Sequence, residues 1–170
     1  VEYLNPFVFY RPQEYSMGSS DNVIIGASLN AKIKNTTVYS QVVLDEFLLS
    51  EIRARSGWWA NKFGAQLGVM GRISDKLSYR VEGNLVRPYT FSHLTPLQVY
   101  GHRGSALAHP YGSNFKEILT ELNWTNNLDS KLKLRFFASF GVRGTDMDSL
   151  NYGSDIYESY INRPNDFGNY

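Results

Sequence analysis

The feature that most constrains this chain is a two-residue hydrophobic period sustained over long segments. In residues 130–143, SKLKLRFFASFGVR, one face collects Leu132, Leu134, Phe136, Ala138, Phe140 and Val142. The other face collects Lys131, Lys133, Arg135, Phe137, Ser139, Gly141 and Arg143. A helix would scatter those cations around its circumference, whereas a strand places them on one side. Residues 62–73 repeat the pattern, with Phe63, Ala65, Leu67, Val69, Gly71 and Ile73 opposing Lys62, Gln66, Met70 and Arg72. In 77–86, Leu77, Tyr79, Val81 and Leu85 oppose Ser78, Arg80, Glu82 and Asn84. Segments 37–48 and 115–125 alternate in the same way, 22–33 is a less regular strand, and 3–10 and 155–162 are weaker ones.

Several of these strands reach about ten residues, longer than the usual five or six of soluble sheets and close to a membrane-spanning length. Their connections alternate in length. Lys34-Asn35-Thr36, Ser74-Asp75 and Asn126-Asn127-Leu128-Asp129 are tight and use turn-forming residues, whereas 49–59, 87–114 and 144–154 are long. No run approaches the roughly 20 apolar residues of a membrane helix. A barrel strand needs none, because alternation keeps hydropathy low, and the mean hydropathy is −0.34.

The expectation is therefore an all-β fold, an antiparallel transmembrane outer-membrane β-barrel, with residues 1–170 as one barrel domain. Its short turns are periplasmic and its long loops extracellular. Apolar faces meet lipid, while Gln41, Asp45, Lys62, Gln66, Arg80, Glu82, Glu117, Glu121, Lys131, Lys133 and Arg135 face the lumen. Trp58, Trp59 and Trp124 fall near strand ends, where an interfacial girdle would lie. The competing architecture is a soluble barrel or sandwich with the apolar faces as its core. Counting the weak strands gives about eight, the smallest barrel of this kind. Val1 starts almost inside a strand and the last stretch, NRPNDFGNY, reads as a loop, so a segment of a larger barrel is the favoured form.

Charge and composition narrow the function. Lys plus Arg is 17 against 16 Asp plus Glu, without charge blocks, which gives no pull toward nucleic acid. Cysteine is absent, removing disulfides and thiolate metal sites. All three histidines, His93, His102 and His109, lie in 87–114, a stretch without acidic residues. A metal there would have to borrow Glu117 or Asp146, so no metal and no cofactor is expected. No nucleophile elbow, phosphate loop or HExxH helix is present, and no enzyme activity is expected. The chain is rich in flat rings, with 12 Tyr and 10 Phe. In the long loop, Arg87, Tyr89, His93, Tyr100, His102, His109 and Asn114 combine apolar faces with fixed donors, which suits sugar rings and their hydroxyls. The other reading of this loop is that it folds inward to brace and plug the barrel, and both remain open.

Specific strings also carry a family resemblance. "VYSQVVLDEF" (38–47), "NKFGAQLGV" (61–69), "LSYRVEGNLVRPYTFSH" (77–93), "YGHRGSALAHPYGSNFKE" (100–117) and "NYGSDIYESY" (151–160) resemble the Wzi-type capsule-assembly outer-membrane proteins. The similarity is to their Bacteroidetes branch, which includes the gliding-motility protein RemB. It implies an outer-membrane barrel of more than eight strands, of which this chain is a mid-to-C-terminal portion. It further implies a non-covalent role in attaching or assembling capsular polysaccharide or exopolysaccharide at the bacterial surface. The partners expected are outer-membrane lipid and that polysaccharide. A structural accessory bound to other outer-membrane proteins of a gliding or type IX secretion complex is the alternative, and a passive porin-like channel the third.

Overall fold

The computed structural model describes residues 23–126 and 132–167. Its centre is a six-stranded sheet in which each strand runs antiparallel to its neighbours. The strands are β1 (Ile25–Ile33), β2 (Thr36–Glu46), β3 (Lys62–Ser74), β4 (Leu77–Val86), β7 (Phe115–Thr125) and β8 (Lys133–Arg143). They pair in that order, and a two-stranded ribbon of β5 (Gly101–His102) and β6 (Ser105–Ala106) lies within the β4–β7 connection. Each of the six long alternating segments has thus become a strand, β4 and β7 with the ends read from the sequence. The expected strand at 3–10 and the lumen candidate Lys131 lie outside the described residues, as does most of the turn after Asn126.

Register carries the alternation across the sheet. Gln41 pairs with Gln66, Gln66 with Asn84, and Asn84 with Glu117, so one polar row crosses four strands. On the opposite face Val38 pairs with Val69, Val69 with Val81, and Ile118 with Phe140. A slip of one residue would exchange the two faces, so this register is strongly specified.

Local chemistry sets the turns. Lys34 takes a left-handed conformation (φ 53°), as a two-residue hairpin between Ile33 and Thr36 favours. Arg103 and Gly104 both have positive φ, the type I′ geometry that joins β5 to β6.

Two expectations need correction. The 49–59 connection contains a short helix, α1 (Leu49–Ala54), stopped by Arg55 at φ 51°. LSEIRA is made mostly of good helix formers, but one and a half turns are too short to show a period. Residues 155–162 are not a strand. Asp155 accepts the Tyr157 N–H through its carboxylate, and Ser159 accepts the Ile161 N–H, so local side-chain bonds bend the backbone into turns and a 3₁₀ segment at Tyr160–Asn162.

The two faces are covered in an unusual way. The apolar cluster of Val86, Phe91, Phe115 and Ile156 is small and lies between the sheet's polar face and the long loops. Polar residues are buried around it, including Lys62, which is fully enclosed, and Glu82, Asn84 and Glu117. The regular apolar face is bare: Leu67 is 63 % exposed, Ile118 60 % and Phe140 79 %. Leu67 and Ile118 lie on interior strands of the sheet, so their exposure is not an edge effect. A soluble sheet buries the apolar face instead, gaining about 1.5–3 kcal/mol per large side chain.

The polar face has its own packing rule. Tyr39 reaches over Gly68 to donate to Glu82 Oε2 at 2.5 Å. A Cβ on Gly68 would come within 2.1 Å of the Tyr39 ring. Gly68→Ala should therefore cost about 1–3 kcal/mol by overpacking, and Tyr39→Ala in the same chain should remove most of that penalty. Denaturant titration of the two single variants and the double variant checks the coupling.

Candidate functional site

The polar face, the β4–β7 loop and the segment after β8 form one hydrogen-bonded assembly. By register Gln41, Gln66, Arg80, Glu82, Glu117, Glu121, Lys133 and Arg135 share this face, together with Asp45 and Lys62. Register thus puts the paired members of this set on one face of the sheet, and Asp45 stands at the irregularity between Leu44 and Glu46. Farther down the sheet, Glu121 receives Arg80 at 3.1 Å and Arg135 at 2.8 Å, pairing charges across three strands.

At the loop end the pairing is between strand and loop. Asp45 accepts the Phe91 N–H at 2.9 Å and pairs with His93 Nε2 at 3.2 Å. Lys62 donates to the Ser92 carbonyl at 2.8 Å and pairs with Glu46 at 2.7 Å. Its ammonium also lies 5.4 Å from the Trp59 ring and 4.8 Å from the Tyr160 ring. Trp59 thus belongs to this inner cluster rather than to an interfacial girdle. His109 accepts the Tyr111 N–H through Nδ1, so its Nε2 carries the proton and donates to Glu117 at 2.9 Å. Asn84 donates from one amide to both Glu82 and Glu117, at 3.0 Å each.

The turn at Arg87–His93 is held against its backbone preference. Tyr89 (φ 62°) and Phe91 (φ 70°) are both left-handed and both fully buried. Such bulky residues cost about 1–3 kcal/mol each in that region, so their surroundings must fix them. Tyr89 donates its hydroxyl to the Asn151 carbonyl at 2.7 Å and its N–H to the Gly153 carbonyl. Ser92 donates to the Glu158 carbonyl, Ser113 to Gly153 and Asn114 to Tyr152. Asp146, considered above as a borrowed metal ligand, accepts from the N–H groups of Tyr152, Ser154 and Asp155 and from the Ser154 hydroxyl.

The candidate loop residues therefore divide into two sets. Tyr89 and His93 are buried bracing groups and offer no surface to a ligand. Asn114 (φ 57°) is half-buried and ties the loop exit to Tyr152. Arg87 is half-buried with its guanidinium 5.6 Å from the Phe63 ring. Tyr100 and His102 are exposed, and His109 is partly so. The three histidines go to separate places, and no group of three or more metal-capable side chains occurs among the described residues.

Between the loop and the sheet lies a cavity of about 400 Å³. Gln41, Gln66 and Asn84 of the polar row line it, with Phe91, Tyr100 and His109 opposite. Amides for hydroxyls and rings for C–H faces are the chemistry that takes a sugar. Asn84 is not among the residues read as functional from the sequence, Trp59 is read there only as part of an interfacial girdle, and 155–162 only as a weak strand. Asn84 could have been found from its place on the polar side of β4, whereas nothing local in 146–158 shows that it packs on the Arg87–His93 turn.

Asp45→Ala should cost about 2–4 kcal/mol and free 87–93 to proteolysis, because it leaves His93 and the Phe91 N–H without their acceptor. Asp45→Asn, which keeps one acceptor oxygen, should lose less; limited proteolysis with mass mapping separates the two. Glu158 is held above the ordinary carboxylate range, first by partial burial and then by Asp146 and Asp155. A raised carboxyl binds its proton more tightly when folded, so its stabilising effect is present at low pH and lost as pH rises through that raised value. Glu158→Gln should therefore raise the melting temperature at pH 7 but not at pH 4.

Comparison with protein-family models, with curated proteins and with solved structures finds no match to this chain, so its functional reading stands on this geometry and on the chain's own chemistry.

Proposed function

We propose that the chain is a portion of an outer-membrane β-barrel of the Wzi-type capsule-assembly family and that it binds surface capsular polysaccharide or exopolysaccharide through its long loops. The inverted partition of the sheet carries this reading: the polar face is covered and hydrogen-bonded, and the apolar face is left bare. Water penalises that arrangement and lipid rewards it.

Dimensions support the reading. On the apolar face, Trp124 in β7 sits opposite Leu77 beside Tyr79, and Lys116 lies eight residues farther along. At about 3.4 Å per residue and a tilt of about 40°, that span is roughly 21 Å high, near the ~25 Å apolar band of such barrels. The reading requires β1 and β8 to find hydrogen-bonding neighbours, since an open edge is not tolerated in lipid. It places the tight turns on the periplasmic side and the loop assembly outside.

Glycan binding rests on what the loop leaves available. Tyr100 both lines the cavity and reaches the surface, and His102 stands on the exposed ribbon beside it. The loops packed on the polar face weigh against an open passive channel. The accessory reading draws on a different feature, the exposed apolar patch of Phe47, Leu48, Leu49 and Ile52 around α1, which suits a protein contact.

Because the chain lacks cysteine, single cysteines report the membrane directly. In outer-membrane vesicles, Leu67→Cys and Ile118→Cys should resist a membrane-impermeant maleimide that labels Leu97→Cys; equal labelling would remove the barrel reading. Tyr100→Ala with His102→Ala should lower capsule retention about tenfold or more while the protein still folds in the membrane. Intact retention, together with loss of a stoichiometric co-purifying protein in Leu49→Glu/Ile52→Glu, would transfer the case to the accessory role.

A further inference from the structure

Among the described strand residues, Lys116 is the one charged side chain on the apolar face. Every other position of that face is apolar, a small residue, a hydroxyl-bearing residue or an aromatic. Lys116 is exposed, stands between Leu85 and Val142 in its cross-strand row, and forms no ion pair with a described residue. An uncompensated ammonium is costly within the hydrocarbon, and at the rim it can extend along its own stem to reach the headgroups.

It does not stand alone. A cleft of about 460 Å³ opens at this rim, lined by Phe63, Leu85 and Val142 and by three cations, Arg87, Lys116 and Arg143. The backbone places them together. Arg87 donates its N–H to the Phe63 carbonyl, and Asn114 donates to the Arg87 carbonyl, extending the β3–β4–β7 ladder past the strand ends. Arg143, exposed at the end of β8, donates to the Ser154 carbonyl at 3.2 Å. A guanidinium has several N–H donors, so this contact does not saturate it. No carboxylate lines the cleft.

Three cations above an apolar floor complement one kind of ligand, an anionic head joined to hydrocarbon chains. We propose that Arg87, Lys116 and Arg143 hold the phosphate headgroup of a membrane lipid whose acyl chains lie against Phe63, Leu85 and Val142. The inference rests on the membrane reading of the preceding subsection and deepens it by naming a lipid site at the outer rim. Lys116 reaches this site from the apolar face and Arg143 from the polar face by its register with Phe115, and the cleft shares Val86 and Phe115 with the sugar-lined cavity.

The test is native mass spectrometry of the full chain in detergent micelles, titrated with dioleoyl phosphatidic acid and, separately, with dioleoylglycerol, which has the same acyl chains and no phosphate. Phosphatidic acid should bind about tenfold or more tightly than dioleoylglycerol. Lys116→Gln with Arg143→Gln should abolish about tenfold of that preference. Lys116→Arg should retain it, and Lys76→Gln, at the far turn, should leave it unchanged. Equal binding of the two lipids, or a preference untouched in the double variant, would overturn the site. So would displacement of phosphatidic acid by inorganic phosphate alone, which would show an anion site indifferent to the lipid. If Leu67→Cys is protected in membranes but the lipid preference is absent, the site fails and the barrel reading survives; if Leu67→Cys is labelled freely, both fail.

Discussion

The structure depends on a polar sheet face whose side chains find their partners within the chain. Asn84 bridges Glu82 and Glu117, Tyr39 closes on Glu82, and His109 and Ser139 close on Glu117. Two buried carboxylates on neighbouring strands would be expensive if left with incomplete shells. Among the described residues every buried side-chain nitrogen and oxygen has a hydrogen-bond partner. That completeness lets the sheet turn its polar side inward and leave its apolar side free for a surrounding medium.

The loops follow from the same requirement. Asp45 and Lys62 lie at the end of the polar face; Asp45 takes the Phe91 N–H and His93 from the loop, and Lys62 adds the Ser92 carbonyl to its strand neighbour Glu46. The 146–158 segment then encloses that turn, and its Gly153 shows how closely. A Cβ there would lie 2.4 Å from the Tyr89 nitrogen, and its φ of 76° is one that glycine adopts at no steric cost. Two left-handed aromatics are thus maintained by contacts on three sides. The braced turn accepts the Tyr100 N–H on the Phe91 carbonyl and leads into the exposed Tyr100–His102 region, so bracing and the proposed glycan contact fall at two ends of one loop.

Much of the fold could be read from the alternation, because a period of two is a local property of each strand and does not depend on what packs against it. The same periodicity assigned the polar-face residues correctly from Gln41 to Arg135. It failed where structure is made by single hydrogen bonds: α1 is too short for a period, and 155–162 alternates in sequence but is bent by Asp155 and Ser159. The loop site was legible in part. Its aromatic and cationic content was plain, but nothing local shows that Tyr89 and His93 are enclosed while Tyr100 and His102 are open.

By itself the sequence determined the strands, their two faces and the sorting of short turns from long loops, since each follows from side-chain spacing and turn chemistry within a few residues. Only the tertiary structure decided which face the loops would cover. That choice depends on contacts between residues far apart in the chain, such as Asp45 with His93, Tyr89 with Asn151 and Ser92 with Glu158. It also gathered Arg87, Lys116 and Arg143 at one rim from three separate segments, because strand register, unlike strand identity, is fixed by pairing across the sheet.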